Sequence, residues 1–116
     1  MLENSYDIDD YLSFGERVRE RRLALKYSQE KLGVLIGLDE SCSRTRISRY
    51  ETGVHEPNIQ IAKLLAAALQ VPLAYLYCEK TLIAKFLLAL HDSSDEDLEQ
   101  LLELVEKFHL TKDGIK

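Results

Sequence analysis

The chain has 116 residues, 46% of them hydrophobic, with only 5 glycines and 2 prolines, which indicates one folded domain with a modest core. It carries 15 Lys and Arg against 20 Asp and Glu, a net charge of −5, so the total charge does not favour a nucleic-acid partner. No apolar run approaches the roughly 20 residues that span a bilayer, and the acidic start MLENSYDIDDY is unlike a secretion signal. We therefore expect a cytoplasmic protein without membrane contact.

The residues that usually carry catalysis or metal binding are sparse. The chain has 2 cysteines and 3 histidines, and none of them is spaced as metal ligands are. No nucleophile–base pair and no glycine-rich phosphate loop is found. We expect no enzyme activity, no metal site and no cofactor, and a redox role for Cys42 stays open.

The charges are distributed unevenly along the chain. Residues 13–53 contain nine basic and six acidic side chains, whereas residues 1–12 contain four acids and residues 79–116 contain nine acids against five basic groups. A basic segment therefore lies between two acidic ends. A local anion-binding face is compatible with the negative total, because local charge matters more than net charge for such a face.

Helical signals follow one another from residue 13 onward, and residues 1–12 are expected to form a flexible acidic arm. Ser13 can cap a first helix that runs to about Lys26, and Ser28 can cap a second one that ends at Gly37. A third helix should stop at Gly53. A fourth helix follows Asn58, and a short fifth one starts at Val71-Pro72.

Residues 79–116 predict a helical hairpin after this five-helix domain, which we bound at residues 13–78. The segments EKTLIAKFLLALH and SDEDLEQLLELVEKFHL are both amphipathic and are joined by DSS. Ser93 with Glu96 fits a capping box. With no strand signal, the fold class is all-α.

The third helix has two different sides when its residues are placed at 100° per step. Ile47, Tyr50 and Glu51 fall on one side, and Thr45, Ser48, Arg49 and Thr52 fall on the other, with Arg44 and Arg46 between them. Arginine can bind two acceptors on guanine, and Ser and Thr can bond to bases or phosphates. The pattern alone favours an ordinary solvated helix face.

The surrounding motifs occur in a specific order. They are R-x-x-x-x-x-SQ-E-x-L leading into the second helix, I-S-x-Y-E-x-G in the third, and P-x-x-x-x-x-x-x-L-A-x-A-L-x-V after it. In this order and spacing, residues 14–77 resemble the Xre family, the phage-repressor-like helix-turn-helix proteins. The resemblance implies a five-helix DNA-binding domain that usually acts as a dimer on an inverted-repeat operator.

The resemblance also implies roles for single residues. Base reading is expected from Arg44, Thr45 and Arg49, and contacts to the DNA backbone are expected from Gln29, Ser43, Arg46, Ser48 and Asn58. Ser43 matches the residue that caps the recognition helix. Arg22 and Glu51 match a structural salt bridge between the first and third helices. Arg17, Arg19 and Arg21 of the first helix can add long-range attraction, and for at least some of them the interpretation as ordinary solvated surface charges is favoured. The core candidates are Leu32, Ile47, Tyr50, Leu65 and Leu69.

The turn before the third helix departs from the family pattern. Ten residues separate Gly37 from Ile47, where about six are usual, so about four residues, DESC or close neighbours, are added. The second helix is prolonged, or the turn is a longer loop, or the third helix begins earlier at a Ser41 cap. We favour a longer loop folded away from DNA, with Asp39 or Glu40 making local hydrogen bonds.

The hairpin offers a surface for a second subunit. Leu82, Ile83, Phe86, Leu87 and Leu90 form one apolar face, and Leu98, Leu101, Leu102, Val105 and Phe108 form another. We expect the second face to form a homodimer interface, because operator binders of this size generally need two-fold symmetry. Packing of the hairpin on its own domain is the alternative.

The function expected from the sequence is sequence-specific binding of double-stranded DNA at the nucleoid by a transcriptional regulator, a repressor of bacterial or prophage origin. An antitoxin or a restriction–modification controller would have the same fold. A different alternative is a protein-interaction module that does not bind DNA and docks a partner on the hairpin.

Overall fold

The computed structural model describes residues 10–115, with side chains as far as Leu110. Within this range the chain forms seven helices: α1 Phe14–Ala24, α2 Gln29–Leu35, α3 Glu40–Glu51, α4 Ile59–Leu69, α5 Leu73–Tyr77, α6 Thr81–Leu90 and α7 Asp95–Ile115. The all-α class is confirmed.

The helices begin at the polar residues that the sequence indicates. Ser13 forms a full capping box with Glu16, Ser28 accepts a hydrogen bond from the Lys31 amide, and the Asn58 side chain caps α4. α7 begins one residue later than expected, because Ser94, not Ser93, accepts a hydrogen bond from the Asp97 amide (3.1 Å).

One hydrophobic core lies between α1–α5. All five predicted core residues are buried, and Val18, Ile36, Tyr75 and Leu76 belong to the same cluster. α6 also reaches this core through Ala84, which is almost fully buried. The helix-turn-helix core therefore continues past residue 78 into the first of the two C-terminal helices.

Two glycines shape the junction between α2 and α3. Gly37 follows the end of α2 with φ of +93°, a left-handed conformation that glycine adopts without strain. Gly33 packs directly against α3, since a Cβ at its position would lie 2.5 Å from Ser43 Cβ. These residues let α2 and α3 approach closely and turn sharply.

The end of the predicted arm is ordered by backbone pairing. Residues 1–9 lie outside the described part of the chain. Residues 10–12 differ from the expected flexible arm, because the Leu12 amide donates to Glu79 O (2.9 Å) and the Thr81 amide donates to Asp10 O (2.9 Å). Tyr11 and Lys80 form an isolated antiparallel bridge between them.

Candidate nucleic-acid interface

The added residues before Ile47 form the first turn of α3. Asp39 is its N-cap, and its Oδ1 accepts hydrogen bonds from the Ser41 amide and the Ser41 hydroxyl, both at 2.8 Å. These bonds lower the pKa of Asp39, since they favour the ionised carboxylate. The expected longer loop is wrong. The third helix begins earlier, as one alternative had it, although Asp39 caps it instead of Ser41.

Ser43 has a different place from the one expected. It lies four residues inside α3, is fully buried, and donates from Oγ to Asp39 O (2.9 Å) and Leu38 O (3.3 Å). Its neighbour across the interface is Gly33. Ser43 therefore neither caps the recognition helix nor reaches a phosphate. The added turn places the N-cap of α3 four residues closer to the N-terminus, at Asp39. The sequence signal for this cap was Asp39 followed two residues later by Ser41.

The buried side of α3 holds the helix in one rotation. Ile47 is fully buried, and Tyr50 and Glu51 are 5% and 6% exposed. Because side chains on one helix face recur every three to four residues, these positions determine which residues point outward. Arg44, Thr45, Arg46 and Arg49 are all exposed, as the helical wheel indicates, and Ser48 is half-buried.

Two of the outer residues of α3 have partners on their own helix. A side-chain hydrogen bond with Tyr50, four residues further along α3, raises the pKa of Arg46. The Thr52 hydroxyl donates to Ser48 O (2.9 Å). The exposed side chains of this face that are best placed to reach a ligand are therefore those of Arg44, Thr45 and Arg49.

A buried ionic network joins α1, α2 and α3. Arg22 Nε lies 2.6 Å from Glu51 Oε2, and Arg22 Nη2 donates to Glu51 Oε1 at 3.1 Å. Gln29 Nε2 donates to the same Oε1 at 3.0 Å, and Arg22 also donates to Tyr27 O. Arg22 and Glu51 thus stand in the arrangement that the resemblance implies. Gln29 braces the recognition helix through Glu51.

An open cleft of about 510 Å³ lies beside this network. Arg19 of α1, Ser28 and Gln29 at the start of α2, and Arg44 of α3 line it, with Glu30 as its acidic member. Arg19 and Arg44 are both exposed and bring positive charge to the cleft from two helices. A phosphate group is the ligand class that suits such a cleft, because arginine forms charge-assisted hydrogen bonds with phosphate oxygens.

The three α1 arginines outside the ionic network, Arg17, Arg19 and Arg21, are not equivalent. Arg17 is only 1% exposed and donates to Cys78 O, Glu79 O and the Thr81 hydroxyl at 2.8–2.9 Å. Arg21 is half-buried and donates to Leu69 O at 2.9 Å. The expectation that Arg17 and Arg21 act as surface charges is wrong, since both are structural donors. Arg19 alone of the three is fully exposed.

The loop after α3 supplies few charges. The His55 amide donates to Arg49 O, and Asn58 Oδ1 accepts from the Ile61 amide at 2.9 Å. Asn58 is exposed, so its amide group remains at the surface beside the loop.

The predicted dimer residues are uncovered in the single chain. Leu98, Leu101, Leu102, Val105 and Phe108 are all exposed, and Phe108 reaches 60%. Every side chain from Ser94 to Leu110 is exposed. α7 therefore does not pack on its own domain, which was the alternative to dimerisation.

Over the described range, no cluster of three or more His, Cys, Asp or Glu side chains could hold a metal ion. None of the described helices is both long enough and apolar enough to span a membrane.

The chain is similar to known helix-turn-helix proteins. A helix-turn-helix family profile matches residues 18–76, just over half of the chain. The crystal structure of the transcriptional regulator BswR is similar with a TM-score of 0.73 and 36% identity over 80% of this chain and 92% of that one. The P22 c2 repressor, solved in complex with a synthetic operator, is similar with a TM-score of 0.51 and 36% identity over 57% of this chain and 94% of the repressor.

No curated protein matches significantly. The family profile spans the segment that carries the three motifs, α3 and the network around Glu51. The chain belongs to the Xre, or lambda-repressor-like, family of helix-turn-helix proteins.

Proposed function

We propose that this protein is a sequence-specific transcriptional repressor that binds an inverted-repeat operator as a homodimer. Family membership supports a DNA-binding transcriptional regulator. The observation that carries the proposal is the outer face of α3, where Arg44, Thr45 and Arg49 are exposed while Ile47 and Tyr50 are buried behind them. Such a regulator acts in the cytoplasm at the nucleoid, by occupying DNA and excluding polymerase, and needs no catalysis.

In this proposal α3 enters the major groove, and three side chains read bases. Arg49 suits a bidentate contact with guanine N7 and O6, and the Thr45 methyl suits contact with thymine. Arg44 lies at the edge of the cleft, so it contacts either a base or a phosphate. A good bidentate contact discriminates against the wrong base by about 1–3 kcal/mol.

The DNA backbone is proposed to lie across the cleft at the start of α2. Gln29 and Arg19 would bond to a phosphate there, and Arg46, Ser48 and Asn58 would contact the backbone on either side of α3. Phosphate contacts position a protein on the duplex and make its affinity fall with salt. The positive charge of residues 13–53 supports this, in spite of the acidic chain ends.

The acidic first turn of α3 opposes this attraction. Asp39 and Glu40 stand at the amino end of the helix, which is the end that family members point toward the bases. The charge of Asp39 is partly compensated, because its carboxylate accepts bonds from Ser41 at the positive end of the helix dipole. Glu40 is exposed and is the residue expected to weaken phosphate contacts.

The homodimer is proposed to form through α7. The stripe of Leu98, Leu101, Leu102, Val105 and Phe108 is apolar and exposed in one chain. Contiguous exposed apolar patches on soluble proteins mark interaction surfaces. Six acidic residues between 95 and 106 also favour the alternative of a protein partner on this helix, for example the toxin partner of an antitoxin.

Selection of DNA from a random pool tests the proposal directly. The wild type should select one sequence with two inverted half-sites, and its affinity should fall steeply with salt. Arg49→Ala should lose the selection, whereas Lys63→Ala, which removes the same charge from an exposed site on α4, should keep it. A wild type that selects no sequence and binds DNA no better than Arg49→Ala would favour the interaction module without DNA.

A further inference from the structure

α7 extends from the domain as a separate helix. It has 21 residues, which makes it about 32 Å long at 1.5 Å per residue. The molecule measures 59 Å along its longest axis and 30 and 28 Å along the others. The apolar stripe of α7 is exposed to water, so α7 gains no stability from packing this stripe on its own chain. The stripe is therefore expected to pack against a partner.

The stripe has the spacing of a helix-pairing seam. Leu98, Leu101, Val105 and Phe108 are separated by three, four and three residues, the alternation that places side chains on one line in paired helices. Leu102 widens this line. The outer side of α6 is also apolar and open, with Ile83 50% and Phe86 63% exposed beside a shallow cleft. Two apolar surfaces of one chain are therefore uncovered together.

The charges of α7 are arranged along its length. Residues 95–106 contain six of the seven Asp and Glu residues of α7 and no Lys or Arg. Paired helices lie 8–10 Å apart, within about one Debye length at physiological salt. Parallel pairing would place the two acidic halves side by side. Antiparallel pairing separates the two acidic halves and opposes the helix dipoles.

We propose that the occupant of the α7 stripe is the α7 helix of a second copy of this chain, paired antiparallel around a two-fold axis near Val105, the middle of the helix. In this arrangement position 102 lies opposite position 108 of the other copy. The carboxyl end of each α7 lies beside the start of the other α7. The apolar stripes of both copies are then buried by one symmetric contact.

The antiparallel pair also sets the distance between two DNA-binding domains. The domains attach to opposite ends of the pair, about 32 Å apart. Adjacent operator half-sites lie about 34–36 Å apart, one turn of DNA. Parallel helices would attach the two domains about 10 Å apart, although the narrower extents of each molecule are 30 and 28 Å. This spacer role rests on the proposed DNA binding, whereas the pairing rests only on the proposed homodimer.

Disulfide trapping tests the orientation without DNA. In a Cys42→Ser, Cys78→Ser background, Val105→Cys should form a disulfide-linked dimer, because both thiols lie at the axis. Leu98→Cys should not, because the two copies of position 98 lie about 21 Å apart, far beyond disulfide reach. Cross-linking of Leu98→Cys as efficient as that of Val105→Cys would overturn the antiparallel orientation.

Sedimentation of the full chain tests whether a second copy is the occupant. The wild type should be a dimer at micromolar concentration, and Leu101→Glu should be a monomer. Gln100→Glu adds the same charge on the other side of α7 and should remain a dimer. A monomeric wild type, or a Leu101→Glu variant that stays dimeric while helical by circular dichroism, would overturn the proposal.

Lengthening α7 tests the spacer role. Insertion of a second copy of residues 99–105 after Val105 keeps the seam and adds about 10 Å. The variant should remain a dimer and lose at least about tenfold in affinity for the wild-type operator, because the second half-site no longer meets its domain. Unchanged affinity would overturn the spacer role. Absence of DNA binding by the wild type would overturn the proposed function and leave the trapping result standing.

Discussion

Removal of the Glu51 side chain is expected to destabilise the domain more than any surface charge deletion. In Glu51→Ala, Arg22 keeps its charge while it is only 7% exposed, and it loses the carboxylate that binds Nε at 2.6 Å and Nη2 at 3.1 Å. Gln29 loses its acceptor as well. Breaking a buried ion pair by removing one partner costs about 3–5 kcal/mol, since a buried charge is left unpaired.

Urea unfolding followed by circular dichroism measures this loss, at a fixed protomer concentration because a dimer is more stable when concentrated. Glu20→Ala is the matched control. Glu20 pairs with Arg17 at 3.8 Å, but its side chain is 58% exposed, so its removal should change the free energy of unfolding by less than about 1 kcal/mol. The double variant Arg22→Met, Glu51→Leu should recover much of the loss. A Glu51→Ala loss no larger than that of Glu20→Ala would refute the assigned role of the network.

Three further outcomes are expected. Arg49→Ala should weaken operator binding by about 1–3 kcal/mol, roughly 5- to 150-fold, in a fluorescence-anisotropy titration, and equal affinities would remove Arg49 from the interface. Gly33→Ala should lower the free energy of unfolding by about 1–3 kcal/mol, since its Cβ would lie 2.5 Å from Ser43 Cβ, and a neutral effect in urea unfolding would contradict the close packing. Because the pKa values of Glu16 and Asp39 are lowered in the folded chain, their contribution to stability is complete above their ordinary values of 4.5 and 3.8 and is lost as pH falls through the lowered ones. Asp39→Asn should therefore reduce the slope of stability against pH in that acidic range, and an unchanged slope would exclude Asp39 as a contributor.

Most of the fold could be predicted from the sequence, because local signals and the burial pattern agree. Ser13, Ser28 and Asn58 each precede a helix that they cap, and Ile47 and Tyr50 are buried at the spacing that the helical wheel requires. The outer face of α3 follows from that burial. Arg22 and Glu51 could be paired only through the family resemblance, since they are 29 residues apart in sequence.

The first turn of α3 and the α1 arginines were harder to predict. Residues 39–42 show no helical periodicity of apolar residues, so the sequence was compatible with both a loop and a helix. In the structure the Asp39 side chain caps a helix that begins at this point. Arg17 resembles its neighbours in sequence. Its burial depends on carbonyl groups at residues 78 and 79, which no local pattern connects to α1.

The buried Arg17 guanidinium stiffens the connection between α5 and α6. It holds the chain between α5 and α6 against α1, and residues 10–12 bind the other edge of the same segment. A displacement of α6 or α7 is therefore transmitted to α1 and is not taken up by bending of the chain at residue 78. The point at which the C-terminal region can bend is then the connection at residues 91–94, where α6 ends and α7 begins. α7 is therefore expected to move relative to the rest of the molecule about residues 91–94, and α6 is expected to move together with α1–α5.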